Sequence, residues 1–209
     1  MNIIDHKAIS VSEIQEVISG YDITPKSKII IPELFLVEDE YLPIVELGGN
    51  CFNFFPCQSI QIPKTVKNIK WSFYSCKNLI DIYVDPDNLF YKDIDGVLFT
   101  KDGKTLLAFP NARKDDYYIP EGTQRIDKFA FKTSHISTLH IPASVSEIGT
   151  NAFYNCHLKD IYFEGRENRD DILLGGFSTN DKNKHTNPNC HFGDKSIPFN
   201  DLLQVKLKS

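Results

Sequence analysis

The 209-residue chain is poor in several things, and each shortage removes a class of function. It has no stretch near the ~20 consecutive apolar residues that cross a bilayer, so helical membrane insertion is excluded. Its formal net charge is −5 and it has no run of lysine and arginine. A nucleic-acid partner needs a basic face to meet phosphate, so nucleic acid is excluded as well. The five cysteines, Cys51, Cys57, Cys76, Cys156 and Cys190, are odd in number and widely spaced. No Cys-x-x-Cys pair is present, which argues against a disulfide framework, a zinc knuckle or a redox dithiol. There is no glycine-rich phosphate loop, no Gly-x-Ser-x-Gly elbow and no His-Glu-x-x-His helix. The first ten residues lack the apolar core of a signal peptide and carry Asp5 where charge should be positive. What remains is 41% hydrophobic and 24% charged, the balance of a folded domain rather than a disordered chain.

What the chain does have is a repeat. Two apolar residues one apart, most followed by proline, recur as Ile29/Ile31-Pro32, Ile60/Ile62-Pro63, Tyr117/Ile119-Pro120 and Leu139/Ile141-Pro142. Ile82/Val84 and Ile161/Phe163 continue the series with altered endings. Between the second members the steps are 31, 22, 35, 22 and 22 residues, a 22-residue unit with two insertions. Downstream, Val66, Ile69 and Phe73 follow one pair, and Thr123, Ile126 and Phe131 another. Val145, Ile148 and Phe153 follow a third. A small residue precedes each Phe, and Cys76 and Cys156 come three residues after theirs, with Cys57 near the equivalent place.

The unit has a direct physical reading. Ile-x-Ile is a very short strand with both side chains on one face, and the proline ends it because it cannot donate to the ladder. Val-x-x-Ile fits a turn or a second short strand. Ala-Phe-x-x-Cys fits about one helical turn, with cysteine as a small buried hydrophobe whose thiol faces a turn carbonyl. One such unit cannot enclose a core; stacked units bury continuous apolar rows.

The string Leu139-His-Ile-Pro-Ala-Ser-Val-Ser-Glu-Ile-Gly-Thr-Asn-Ala-Phe-Tyr-Asn-Cys156 resembles the BspA-type leucine-rich repeat. Ile60 to Ile69 and Tyr118 to Phe131 look like further copies, and Val84 to Phe99 is similar to an inserted unit of that family. The resemblance covers about residues 57 to 163. It implies a β-rich α/β solenoid, a leucine-rich-repeat-like right-handed superhelix of about 22-residue units with one inserted β-hairpin. It also implies a non-enzymatic scaffold for protein–protein interaction, with host or cell-surface adhesion as the setting, and neither catalytic residues nor a cofactor. With Met1 as the native start the protein is expected in the cytoplasm; with a leader removed, the resemblance places it at the cell surface or outside the cell.

The expected organisation is an N-terminal capping helix and linker over 1–28, the solenoid over 29–164, and a polar loop with a capping strand over 165–209. The helix reading rests on Ser10-Val-Ser-Glu13, a capping-box pattern, followed by Ile14, Val17 and Ile18 on one face and Gly20 as a stop. Within the insertion at 85–112, the apolar runs around Asp102-Gly103 read as a hairpin. Leu202 to Leu207 alternates like a closing strand.

For binding, Trp71, Tyr83, Tyr91, Tyr117 and Tyr118 are the aromatic candidates, on the argument that rings left exposed by the stack mark the contact. The partner expected is a protein. A glycan stacked on an exposed Tyr or Trp71 is the second reading. A phosphatase-like enzyme is the third, from Asp93-Ile-Asp95-Gly, whose lead-in Phe90-Tyr91-Lys92 lacks the buried strand such a nucleophile requires. A calcium loop beginning at Asp85 fails because Leu89 and Gly96 stand where ligands belong. His185, Cys190 and His191 fit no common zinc spacing and read as loop polarity.

Overall fold

The computed structural model describes residues 2–5, 8–11, 28–49, 51–52, 55–70, 72–73, 76–168, 170–174 and 187–204. These fall into two compact units, Met1–Asp102 with Pro110–Ala112, and Gly103–Phe109 with Arg113–Ser209.

The first unit contains β1 (Asn2–Asp5), β2 (Ala8–Val11), β3 (Lys28–Ile30), β4 (Leu34–Val37), β5 (Glu40–Leu47), β6 (Ser59–Ile62), β7 (Asn68–Ile69), β8 (Asp81–Val84), β9 (Tyr91–Ile94) and β10 (Val97–Thr100). Strands β3, β6 and β8 pair in parallel, with Ile29 opposite Ile60, Ile60 opposite Ile82, and Ile62 opposite Val84. All five side chains are buried, so the apolar-x-apolar pairs form rungs of one ladder. A second parallel ladder sets Val11 beside Leu47 and Leu47 beside Ile69; the Val-x-x-Ile spacing is thus a turn leading into a two-residue strand. Phe52 and Phe73 stack at 5.2 Å beneath them. Asn88, fully buried, donates to the carbonyls of Pro63 and Val66 and accepts from the amides of Phe90 and Tyr91. It thereby anchors the insertion to the preceding turn.

A hairpin does occupy the insertion. Strands β9 and β10 pair antiparallel from Tyr91↔Thr100 to Ile94↔Val97, around Asp95 and Gly96 at φ 50° and 71°. Two left-handed residues in succession suit the right-handed twist of a hairpin. At Gly96 a β-carbon would also run into the Asp81 carboxylate. This turn at Asp95-Gly96 lies upstream of the Asp102-Gly103 turn expected from sequence, and the sequence reading did not detect it.

The second unit contains β11 (Thr105–Ala108), β12 (Tyr117–Tyr118), β13 (Arg125–Ile126), β14 (Thr138–Ile141), β15 (Glu147–Ile148), β16 (Asp160–Phe163), β17 (Leu173–Leu174), β18 (Asn189–Phe192), β19 (Lys195–Pro198) and α1 (Phe199–Gln204). Strands β12, β14, β16 and β18 run parallel, in the order Tyr117, Leu139, Ile161, Cys190 along one buried row. Strands β11, β13, β15 and β17 form a second parallel ladder through Leu106, Ile126, Ile148 and Leu174. Between these ladders Phe131 lies 4.9 Å from Phe109 and 5.7 Å from Phe153. Three coils close the proline corner alike: Pro120 and Pro142 accept from the amides of Thr123 and Val145, as Pro63 does from Val66 in the first unit.

The Ala-Phe-x-x-Cys corner is not the helical turn its spacing suggests. It is a chain of four-residue hydrogen-bonded turns, Asp127 to Ala130 and Phe131 to Ser134, repeated as Gly149 to Ala152 and Phe153 to Cys156. Left-handed residues recur 22 apart, Phe129 with Asn151 and Thr133 with Asn155. The fold is therefore a β-solenoid of about 22-residue coils, and α1 is the only helix among the described residues.

The C-terminal end differs from expectation, whereas the N-terminal capping-helix reading falls mainly on residues outside those described. Ser10 and Val11 end strand β2, and residues 12–27, where the rest of the proposed capping helix falls, lie outside the described residues. Repeats were expected to stop at 164, but β17 and β18 add another coil. Residues Leu202 to Gln204 are helical rather than a closing strand. Phe199 and Leu202, three apart on a helix face, are both buried, and Phe199 meets Phe153 edge-on at 5.7 Å. Strand β19 closes against β18 instead, so the helix covers the phenylalanine row.

Candidate functional site

In a parallel ladder the residue between two buried neighbours points outward, and equivalent residues of successive coils lie about 4.8 Å apart. In the second unit those outward residues are Tyr118, His140, Tyr162 and His191, register partners in that order. All four are flat rings at the spacing of a ring stack. Tyr118 and His140 stack at 3.9 Å, His140 and Tyr162 at 4.9 Å, and Tyr162 and His191 at 4.3 Å, each within 11° of parallel. Tyr118 is 64% exposed and the other three are partly exposed.

Carboxylates of the neighbouring coil lock both imidazoles. Nδ1 of His140 lies 2.7 Å from Glu164, and Nε2 of His191 lies 2.8 Å from Asp160. The hydrogen bond from His191 is the main reason the Asp160 carboxyl sits below the usual carboxylate range; partial burial opposes it. An open groove of about 420 Å³ adjoins this end of the ladder, lined by Tyr162, Glu164, Arg166, Glu167 and His191 among others. Arg166 forms its floor: the guanidinium donates to the carbonyls of Ala143 and Val145 and pairs with Asp171. Its charge is spent on holding the corner, where Asn88 acts in the first unit.

The residues nominated from sequence are scattered. Trp71 lies outside the described residues. Tyr83 is 39% exposed on β8, its hydroxyl donating to Asp81 and its ring under the Lys28 ammonium at 5.4 Å. Tyr91 is half-buried; its hydroxyl accepts from the Ile69 amide and donates to the Lys67 carbonyl, and burial raises its pKa. Tyr117 is buried, 4.9 Å from Phe109, and its neighbour Tyr118 is the exposed one. The ring column itself was missed. His140, Tyr162 and His191 are each the middle residue of an apolar-x-apolar triplet, and aligning those middle positions would have found them. Cys190 and His191, read as loop polarity, belong to β18.

The acidic residues and cysteines singled out from sequence have structural surroundings. Asp93 lies on the antiparallel hairpin, where its carboxylate accepts from the Val84 amide at 2.8 Å, and Asp95 occupies the hairpin corner. Asp85 accepts from the Asp87 amide in a local turn. Among the described residues no group of three His, Cys, Asp or Glu side chains is placed to hold a metal. All five cysteines are free and buried, and burial pushes Cys51, Cys57 and Cys190 up to about 12, the reverse of an activated nucleophile. Among the described residues, no helix is long and apolar enough to cross a membrane.

Comparison with known proteins bears on the repeat. No curated protein matches the chain. A leucine-rich repeat protein from Eubacterium ventriosum is 25% identical over 57% of this chain and 40% of its own, with a TM-score of 0.49. This chain thus spans well under half of that protein's length. A leucine-rich cell surface protein from Faecalibacterium prausnitzii is 18% identical over 64% of this chain and 68% of its own, with a TM-score of 0.39. The pneumococcal vaccine antigen PcpA is 15% identical over 73% and 68%, with a TM-score of 0.36. Six copies of the BspA type leucine-rich repeat region match residues 40–101 and 107–193. With those copies falling on the 22-residue coils and reaching β18, the chain belongs to the BspA-type leucine-rich repeat family.

Proposed function

We propose that the chain is a non-enzymatic repeat scaffold that binds a partner protein through the outward face of β12, β14, β16 and β18. One observation carries this reading: the column Tyr118, His140, Tyr162 and His191 is stacked and partly exposed, on a sheet whose other face is core. Stacking fixes the rings in advance, so little side-chain entropy is lost when a partner docks. The rings close their faces on one another and leave edges, hydroxyls and carboxylates outward. Edges and hydroxyls of fixed tyrosines suit the polar and apolar mosaic of a protein surface. A sugar needs an open ring face, and the column offers one only at its ends.

The test places a photo-crosslinking amino acid at Tyr118 and, separately, at Glu147 on the other ladder of the same unit. A protein crosslinked from Tyr118, absent from Glu147 and lost in Tyr162→Ala with unchanged melting, is the expected result. Equal crosslinking from both positions, or retention in Tyr162→Ala, overturns the reading.

A further inference from the structure

A second surface stands in the first unit. Strands β4 and β5 pair antiparallel from Leu34↔Pro43 to Val37↔Glu40, and only from Ile44 onward does β5 pair with β2 and β7. Residues 34–43 are therefore a hairpin whose strand β4 is an edge among the described residues. Its two faces are unlike. Phe35 and Val37 are half-buried and Leu42 is buried, whereas Leu34, Leu36 and Tyr41 are 48%, 47% and 66% exposed. Because Ile44 donates to Glu33, antiparallel alternation turns the Leu34 and Leu36 amides away from β5. Protein edges usually carry lysine, proline or a bulge to prevent pairing, and Leu-Phe-Leu-Val has none.

The tip is charged. Glu38, Asp39 and Glu40 are consecutive and exposed, and none has an ion-pair partner among the described residues. Glu38 sits at φ 56° in the first loop position, where a two-residue hairpin of this kind takes glycine. A carboxylate is kept at a strained site.

We infer that β4 is a docking edge for an extended segment of a partner protein, apolar at alternate positions and basic where it passes the Glu38-Asp39-Glu40 tip. The edge supplies backbone hydrogen bonds, Leu34, Leu36 and Tyr41 receive the alternate side chains, and the three carboxylates set the charge of the partner. This surface is independent of the ring column.

The probe is a short synthetic peptide alternating valine and threonine with two terminal lysines, added to the full chain and followed by amide hydrogen exchange. The free protein is expected to exchange the Leu34 and Leu36 amides quickly, and the peptide to slow both by about tenfold or more. Affinity is expected to fall about tenfold in E38Q/D39N/E40Q and to lose its salt dependence. It is also expected to fall in L34T/L36T, and to stay unchanged in Tyr162→Ala, which tests the other surface. Melting curves confirm that each variant folds. Slow exchange at Leu34 and Leu36 in the free monomer overturns the inference, since the edge is then occupied by the chain itself. Concentration-dependent protection without peptide overturns it in favour of a second copy. No binding, or equal binding when glutamates replace the lysines, overturns it outright.

Discussion

Cys76 donates its thiol to the carbonyl of Phe52, 24 residues earlier, at 2.8 Å. The repeated cysteine is thus a corner-closing donor within the apolar row, and its low reactivity follows from that placement. Burial pushes Cys51 and Cys57 from 9.0 up to about 12 and raises Cys76 as well, with neighbouring thiols adding to the effect. At pH 8 the thiolate fraction is about a thousandfold below that of an open cysteine. A disulfide-exchange reagent is expected to label no cysteine of the folded chain within minutes, and all five in denaturant. Rapid labelling of even one without denaturant contradicts this placement.

The same thiols set an alkaline limit. A folded pKa above the unfolded value leaves stability intact below about pH 9 and drains it as pH rises toward 12, because unfolding then releases protons. Melting temperature is expected to fall steadily across that window, and less steeply in Cys190→Ala once its lower starting stability is allowed for. The Asp160 carboxyl runs the other way. Its depressed pKa contributes stability above about pH 4 that disappears as pH falls through the folded value. Asp160 is partly solvated, so Asp160→Asn is expected to cost about 1 kcal/mol or less at pH 7 and nothing once the Asp160 carboxyl is protonated in the folded and the unfolded state alike. Urea titrations of both proteins at pH 7 and pH 2.5 measure the difference.

Much of this fold was legible because its rows are chemically uniform. Ile60, Ile82, Leu139 and Ile161 are all aliphatic and mostly 22 apart, so the register of β6 with β8 and of β14 with β16 could be read directly. The coil at β18 was not, because 29 residues separate Cys190 from Ile161 and its buried pair is Cys190 and Phe192. The corner turns escaped for a different reason. Ala-Phe-x-x-Cys spacing fits one helical turn as well as two β-turns, and only the left-handed Asn151 and Asn155 separate them. The ring column was hidden because its members differ in kind, two tyrosines and two histidines, while their shared property is position.

Those left-handed residues yield a stabilising substitution. Asn155 adopts φ 53° and its counterpart one coil earlier, Thr133, adopts φ 60°. Asparagine tolerates this region, whereas a β-branched side chain is a genuine outlier there. Thr133 donates its backbone amide to the Tyr154 carbonyl, which the change leaves in place. Thr133→Asn is expected to stabilise by about 0.5–1 kcal/mol, seen as a melting temperature a few degrees higher. A lower value would mean that the threonine side chain, whose hydroxyl donates to the Lys132 carbonyl, contributes more than the strain costs.

Gly149 supplies the converse case. Its amide donates to the Ile126 carbonyl of the preceding coil, and its position brings the two backbones nearly into contact. A β-carbon there would fall 2.5 Å from the Lys128 nitrogen and 2.8 Å from the Asp127 carbonyl carbon, both main-chain atoms that cannot swing aside. Relief requires the coils to separate, and the adjoining Arg125–Glu147 and Ile126–Ile148 pairings would stretch with them. Gly149→Ala is therefore expected to destabilise the second unit by about 2–4 kcal/mol, although alanine ordinarily outperforms glycine away from left-handed φ. Chemical denaturation followed by hydrogen exchange at Ile126 and Ile148 locates the loss. Wild-type protection of those amides in the variant would show that the coils pass each other with room to spare.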